Sequence, residues 1–231
     1  MSSSPRSATQ SRGNAVGIIP VAPEAWVFAV PAALFAAAFF LGGIAPLGWL
    51  STIATLYIIY FFRDPRRVAP EGEHLAVAPA DGIVTAVEDV DHPGIEGQRC
   101  RRISIFLSVF DVHINRTPLA GRVLKVEYRP GEFRNAMDAS SAEFNERADV
   151  LIETSFGPLL VRQISGLIAR RIICRAMPGR QLDRGERYGL IRFGSRTDVF
   201  LPLEAQPHVK PGQRVWGGQS IIAEFPRRAA N

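Results

Sequence analysis

Three short stretches carry residue types from which covalent chemistry can be built. Phe193-Gly194-Ser195 sets a hydroxyl beside a residue with no side chain, Asp111-Val112-His113 closes an apolar run with an imidazole, and Pro79-Ala80-Asp81-Gly82 places a carboxylate among turn formers. A serine becomes a nucleophile when a neighbouring base takes its proton. Imidazole titrates near neutral pH, and a carboxylate can orient and charge-stabilise such a base. Each stretch also has a plainer reading: Gly-Ser and Asp-Gly are turn pairs, and a histidine after an apolar strand is often a hydrogen-bonded core residue. Ser195 lacks the G-x-S-x-G elbow of hydrolases, and the chain has neither G-x-G-x-x-G nor a Walker A loop. His74 and His92 lie in polar loops and His208 in a turn-like Pro-His-Val-Lys-Pro-Gly, so all three read as structural. Cys100 and Cys174 have strand-like flanks and no metal-ligand spacing. They read as buried thiols, and no metal is expected.

The elements that must position these residues fall into two solvents. From Ala25 to Phe62, 38 residues contain no Asp, Glu, Lys or Arg. One helix of that length would be about 57 Å long, roughly twice the ~30 Å hydrocarbon core of a bilayer. Gly42-Gly43 and Pro46 interrupt the run near its middle, so two helices are expected, over about 25–42 and 46–62, forming a membrane hairpin within residues 17–62. Pro31 and the alanine-rich stretches weaken the first span, which keeps a shallow re-entrant hairpin open. Trp26, Trp49, Tyr57 and Tyr60 are suitable interface anchors, and Arg6 and Arg12 before the block with Arg63, Arg66 and Arg67 after it place both ends in the cytoplasm. Residues 1–16, rich in Ser, Ala and Arg, read as a disordered tail. The net charge of +5, scattered and without a basic–aromatic stripe, suits anionic lipid better than nucleic acid.

From residue 63 onward short apolar or alternating runs predict strands at Gly82–Val87, Arg102–Phe110, Val123–Tyr128, Asp149–Thr154, Leu159–Ile164, Tyr188–Phe193 and Asp198–Leu201. Pro- and Gly-containing turns separate them. One segment, Leu167–Arg175, could be helical, although Ile-Ile-Cys-Arg-Ala around Cys174 also reads as a strand. The expected fold is therefore a mainly β catalytic domain over 63–231, sandwich- or barrel-like with minor helices, behind an N-terminal transmembrane helical hairpin.

Ile191-Arg-Phe-Gly-Ser-Arg-Thr-Asp-Val-Phe-Leu-Pro resembles the processing segment of short bacterial phosphatidylserine decarboxylases. Tyr60-Phe-Phe-Arg-Asp-Pro-Arg-Arg, Ala78-Pro-Ala-Asp-Gly-Ile-Val, Phe106-Leu-Ser-Val-Phe-Asp-Val-His-Ile-Asn-Arg-Thr-Pro, Asn145-Glu-Arg and Gln163-Ile-Ser-Gly-Leu-Ile-Ala-Arg-Arg-Ile are similar to the same family, in the same order. The likeness covers about residues 57 to 226 and implies a self-processing, pyruvoyl-dependent enzyme.

On that resemblance, the Ser195 hydroxyl attacks the Gly194 carbonyl to give an ester, and removal of the Ser195 α-proton eliminates Gly194 as a free carboxyl end. The dehydroalanine left at 195 hydrolyses to a pyruvoyl group. The products, 1–194 and 195–231, stay together as a heterodimer that can oligomerise further. The pyruvoyl ketone forms a Schiff base with phosphatidylserine and acts as the electron sink for loss of CO2, giving phosphatidylethanolamine for phospholipid biosynthesis at the inner membrane. The same resemblance makes Asp81 the acidic member of the self-cleavage relay and His113 the general acid/base. Longer relatives carry His-x-x-His here, whereas this chain has Arg116 in the second position, which leaves the base for self-cleavage open. A second reading comes from Val209–Glu224, similar to half of a biotinyl- or lipoyl-type barrel. Such a carrier needs a lysine at a hairpin tip, and the two lysines, Lys125 and Lys210, are not so placed.

Overall fold

The computed structural model describes residues 20–132, 144–166, 171–192 and 194–227. The expected tail over 1–16 lies outside them. The apolar block folds as two helices, α1 (Trp26–Leu41), entered through a 3-10 turn at Pro23–Ala25, and α2 (Ala45–Phe61). Pro46 falls in the first turn of α2, where a missing N–H costs no helical bond, and α1 runs on through Pro31. The two helices pack together, with Phe40 and Trp49 edge-to-face at 5.5 Å.

Neither helix has a polar face. Leu41 is 90 % exposed and Val27 71 %, a pattern that water does not tolerate along a whole helix and hydrocarbon does. Pro23–Leu41 is the one stretch among the described residues long and apolar enough, by length and composition, to cross a membrane. The 17 residues of α2 make about 26 Å, just short of the ~30 Å hydrocarbon core.

The rest is β structure. In chain order the strands are β1 (Leu75–Val77), β2 (Gly82–Asp91), β3 (Arg99–Leu107), β4 (Ile114–Arg116), β5 (Gly121–Arg129), β6 (Arg147–Thr154), β7 (Gly157–Ser165), β8 (Ile172–Cys174), β9 (Gln181–Leu182), β10 (Arg187–Ile191), β11 (Ser195–Leu201), β12 (Gln206–Pro207), β13 (Arg214–Val215) and β14 (Ile221–Glu224). Eight form one curled antiparallel sheet in the order β13-β2-β3-β11-β7-β6-β5-β9, and two small sheets, β1-β14-β12 and β4-β10-β8, complete the domain. The mainly β expectation holds, and the long predicted strands all reappear as members of these sheets. The run expected over Arg102–Phe110 ends at Leu107, where Ser108–Asp111 closes a turn through the Asp111 N–H to Ser108 carbonyl bond of 2.9 Å.

The helix considered for Leu167–Arg175 is overturned over its described second half. Ile172–Cys174 is strand β8, registered against Ile191, Leu190 and Gly189 of β10; residues 167–170 lie outside the described residues. Two β-branched isoleucines and an open edge on β10 outweigh a weak helical pattern.

Strand β11 lies inside the large sheet, paired with β3 from Ser195 to Leu201 and with β7 from Ser195 to Phe200. All seven of its residues are buried, so both its faces are covered. Val199 and Leu201 sit on the face of the main core, with Ile103, Ile105, Leu159 and Val161. Phe200 points the opposite way, to Cys100 and Leu160, and burial lifts the Cys100 thiol to about 11, which keeps it protonated. On that second face, buried charges pair side by side: Arg196 with Asp198 at 2.7 and 2.8 Å, and Arg162 with Asp149 at 2.7 Å twice.

Leu201 is fully buried in the core that β11 shares with β3. Leu201→Ala is expected to destabilise the protein by about 2–5 kcal/mol, read from the midpoint of urea denaturation in detergent.

Candidate active site

Ser195 is the first residue of β11, and Gly194 is the last residue of the turn that leads into it. Gly194 has φ +61°, in the left-handed region that side chains disfavour. A Cβ there would meet nothing nearer than Val109 Cγ1 at 4.0 Å, so backbone angle rather than space selects glycine. Ser195 is fully buried, and its Oγ has no hydrogen-bond partner among the described residues. Its register partners are Leu107 on β3 and Ser165 on β7, and the Ser165 hydroxyl is likewise buried and unpartnered. A buried hydroxyl without a bond costs on the order of 1–3 kcal/mol, and two lie here, opposite one another in register.

His113, on the approach to β4, meets this turn directly. The Gly194 N–H donates to His113 Nε2 at 3.3 Å, and His113 Nδ1 lies 3.0 Å from the Asp111 carbonyl. One protonation state satisfies both contacts: Nδ1 carries the proton and Nε2 offers a lone pair. Burial favours the same neutral form. It pushes the imidazole down to about 4, against smaller upward pulls from Asp111. The wall that excludes water is aromatic: the Phe61 ring at the end of α2 packs 4.3 Å from the His113 ring, centroid to centroid.

Asp81 lies elsewhere in the same neighbourhood. It grips Arg67 through both carboxylate oxygens, one contact being 2.7 Å, and accepts the Gly217 N–H at 2.8 Å. Among the described residues no hydrogen bond joins Asp81 to His113, and the Asp81 charge reaches the imidazole as a minor through-space pull. The structure thus brings His113, Gly194 and Ser195 together and holds Asp81 on a guanidinium. The turn at Asp81 depends on Gly82, whose φ is +154° and where a Cβ would come within 2.0 Å of the Phe106 carbonyl oxygen.

Arg116, at the position of the second histidine of longer relatives, is fully engaged. It donates to Asp64 at 2.9 Å, to the Pro65 carbonyl at 3.1 Å and to the Gly185 carbonyl at 3.2 Å. It ties the exit of the hairpin to the domain.

Several contributors were not singled out in the sequence. Asp111 anchors the loop before His113, accepting the Ser108 N–H and hydroxyl at 2.8 Å and Arg214 at 2.7 Å. Its place in Asp-Val-His was a visible signal. Tyr57 and Tyr60 donate to the Val109 and Phe110 carbonyls, each at 3.3 Å, and Arg63 donates to the Phe110 carbonyl at 2.7 Å. These aromatics, read as interface anchors, also clamp the loop that carries the histidine. A buried chain of hydrogen bonds lies just beyond Ser195: the Gln163 amide donates to Asn115 Oδ1 at 2.8 Å, and the Asn115 amide donates to the Thr197 hydroxyl at 3.0 Å. Of the structural histidines, His74 and His208 both face Glu224, at 3.6 and 3.2 Å, and His92 accepts the Gly94 N–H. Of the two lysines, Lys125 is ion-paired to Glu127 within β5 and Lys210 precedes an exposed turn.

The arrangement offers a hydroxyl, a left-handed glycine before it and a neutral base lone pair on that glycine's N–H. Comparison with known families gives one match: the sequence model of the phosphatidylserine decarboxylase family fits residues 54–223, which include every residue of this site.

A folded-state value near 4, below the ordinary 6.5, means that protons favour the unfolded chain. His113 therefore gives full stability above about pH 6.5, and loses it toward pH 4 at about 1.4 kcal/mol per pH unit. NMR titration should find the His113 midpoint near 4. Phe61→Ala, which admits water, should raise it by roughly one unit; a midpoint unmoved by the substitution would show that Phe61 is not the wall.

Proposed function

The chain belongs to the phosphatidylserine decarboxylase family, and on that premise we propose that it converts phosphatidylserine to phosphatidylethanolamine and CO2 with a pyruvoyl group made from its own Ser195. The observation that carries this reading is the buried, unpartnered Ser195 hydroxyl directly after a left-handed glycine whose N–H rests on the His113 lone pair. A hydroxyl with no other bond to break is free to add to the Gly194 carbonyl. The oxygen of Ser195 forms an ester to that carbonyl as the Gly194–Ser195 C–N bond breaks and the nitrogen takes the hydroxyl proton. Loss of the Ser195 α-proton then breaks the Ser195 Cβ–Oγ bond and frees the Gly194 carboxylate. The dehydroalanine left behind tautomerises to an imine that takes up water and releases ammonia, leaving the ketone.

His113 Nε2 is the base placed to move these protons. Its low basicity suits transfers between groups that it must not hold for long, and its burial keeps water out of the turn. Asp81, locked to Arg67, is a fixed negative charge that supports the positive charge an imidazole gains on accepting a proton. The site fits the group on chemical grounds, since the buried Ser165 hydroxyl, opposite residue 195 in register, has no partner among the described residues and could donate to a new carbonyl oxygen there. Once formed, the pyruvoyl carbonyl supplies the electron sink for decarboxylation.

The apolar hairpin supports a site at a bilayer. Its exposed apolar surface enters lipid, and its foot, Phe61 and Phe62, closes over His113, so the reacting carbon sits at head-group depth. Cleavage gives a large piece ending at 194 and a small one starting at 195. The small piece keeps β11 within the large sheet, which holds both as a heterodimer at the cytoplasmic face of the inner membrane.

Intact-mass measurement of the purified protein, with and without a carbonyl reagent, tests the reading. The expected result is two chains that co-purify, with the reagent on the piece beginning at 195. Ser195→Ala should leave one full-length chain with no decarboxylase activity. A parent protein of full length carrying an ordinary serine would leave only a lipid-binding relative.

A further inference from the structure

Arginines in this fold are mostly neutralised. Arg67 holds Asp81, Arg116 holds Asp64, Arg162 holds Asp149, Arg187 holds Glu24 and Asp64, and Arg196 holds Asp198. Arg192 is different. It lies just beyond β10, two residues before Gly194, and among the described residues no carboxylate pairs with it. Its guanidinium carbon stands 5.0 Å above the ring of Phe28 in α1, and its Nε is buried with no hydrogen-bond partner. Its N–H donates to the Arg171 carbonyl at 3.3 Å, which sets a second arginine alongside. The Arg171 side chain is also without a carboxylate among the described residues. The carboxylate whose field reaches Arg192, Glu24, is already taken by Arg175 at 2.6 Å and Arg187 at 3.0 Å.

Two adjacent like charges, one half-buried, are unfavourable without a counterion. Burial and Arg171 both lower the Arg192 pKa, against a smaller upward pull from Glu24. The place is also specific. Phe28 stacks on Phe62 at 5.9 Å, Phe62 meets Phe61 at 5.0 Å, and Phe61 covers His113. The hairpin foot therefore has the scissile turn on one side and this cation pair on the other. A guanidinium held over a ring keeps its N–H edge available as a fork, which matches the oxygens of a phosphate.

We propose that Arg192, with Arg171 beside it, is the seat for the phosphodiester of the substrate head group. The proposal rests on the decarboxylase reading above and adds where the lipid is held. Three residue steps lead from Arg192 to Ser195, at most about 10 Å of chain. A serine head group carries its amine and its phosphate only a few bonds apart, so the arginine side chain spans the remainder. The ring of Phe28, on the hairpin, fixes the fork at the depth where lipid phosphates lie. Glycerol chains then leave along the apolar face of α1.

Arg192→Gln, Arg192→Lys and Arg171→Gln, each in the full-length protein, test this in mixed micelles of phosphatidylserine. Arg192→Gln should raise KM roughly 10- to 100-fold, the loss of a charge-assisted contact, and Arg192→Lys should recover part of it. Calorimetric binding of soluble glycerophosphoserine should weaken by a similar factor, while sedimentation with phosphatidylglycerol vesicles stays as in the parent. If glycerophosphoserine binding and KM both remain within about twofold of the parent, the seat is wrong. It is also wrong if vesicle binding falls and KM recovers once corrected for the bound fraction, because the pair would then serve the anionic surface in general. Should Arg192→Gln fail to cleave, Arg171→Gln carries the same comparison. A parent that bears no ketone overturns the decarboxylase reading itself, whereas a ketone-bearing parent with unchanged variants overturns the seat alone.

Discussion

Everything at this site depends on keeping one imidazole dry. His113 is neutral because burial makes its charged form expensive, and neutrality leaves Nε2 as an acceptor for the Gly194 N–H. A protonated ring would present a donor to that N–H, and the contact would become repulsive. The Asp111 carbonyl fixes the other nitrogen, so a single backbone oxygen sets both the tautomer and the direction of the lone pair. Asp111 is in turn held by Ser108 and by Arg214 from near the C-terminus. The carbonyl and the carboxylate of one residue thus serve two purposes, aiming the base and tying it to the segment beyond the scissile bond.

The second constraint is mechanical. If the chain breaks itself as proposed, it must survive the break, and the 194–195 peptide lies at the start of an inner strand. Strand β11 keeps its ladder bonds to β3 and β7 whichever way the 194–195 link stands. Its two faces divide the work, since Val199 and Leu201 add apolar burial while Arg196 and Asp198 satisfy each other on the opposite side. Buried pairs of that kind contribute little net stability but penalise misregistration strongly, because a slip of one residue would leave charges unpaired in the core.

The apolar hairpin is usually thought of as an anchor, yet here it is also part of the site. Tyr57 and Tyr60 hold the 108–111 loop, Phe61 covers the histidine, and Phe28 backs Arg192. The apolar helices and the candidate site therefore share side chains. The apolar foot supplies low dielectric where the imidazole needs it and a flat surface where a guanidinium needs it.

Much of this was legible in the sequence, and the reason is local. The charge-free block, its Gly-Gly-Pro break, the alternating strands and the Gly-Ser pair are patterns within a few residues of chain, governed by helix length, strand period and turn chemistry. The short strand β4 was not legible, and β8 was legible only as one of two readings, because three residues acquire strand geometry only when β10 is present to pair with them. The aspartate nearest the chemistry in sequence pattern, Asp81, could be expected to serve a base. Only the folded chain brings Arg67 to it, and the fold gives the imidazole a backbone carbonyl instead. Composition and spacing determined which groups this protein possesses and that one block of it is free of charge over 38 residues. Tertiary structure decided which of them touch, since the contacts among Phe61, His113, Gly194 and Arg192 join segments far apart in the chain, and dielectric and direction at a site belong to the neighbours that folding supplies.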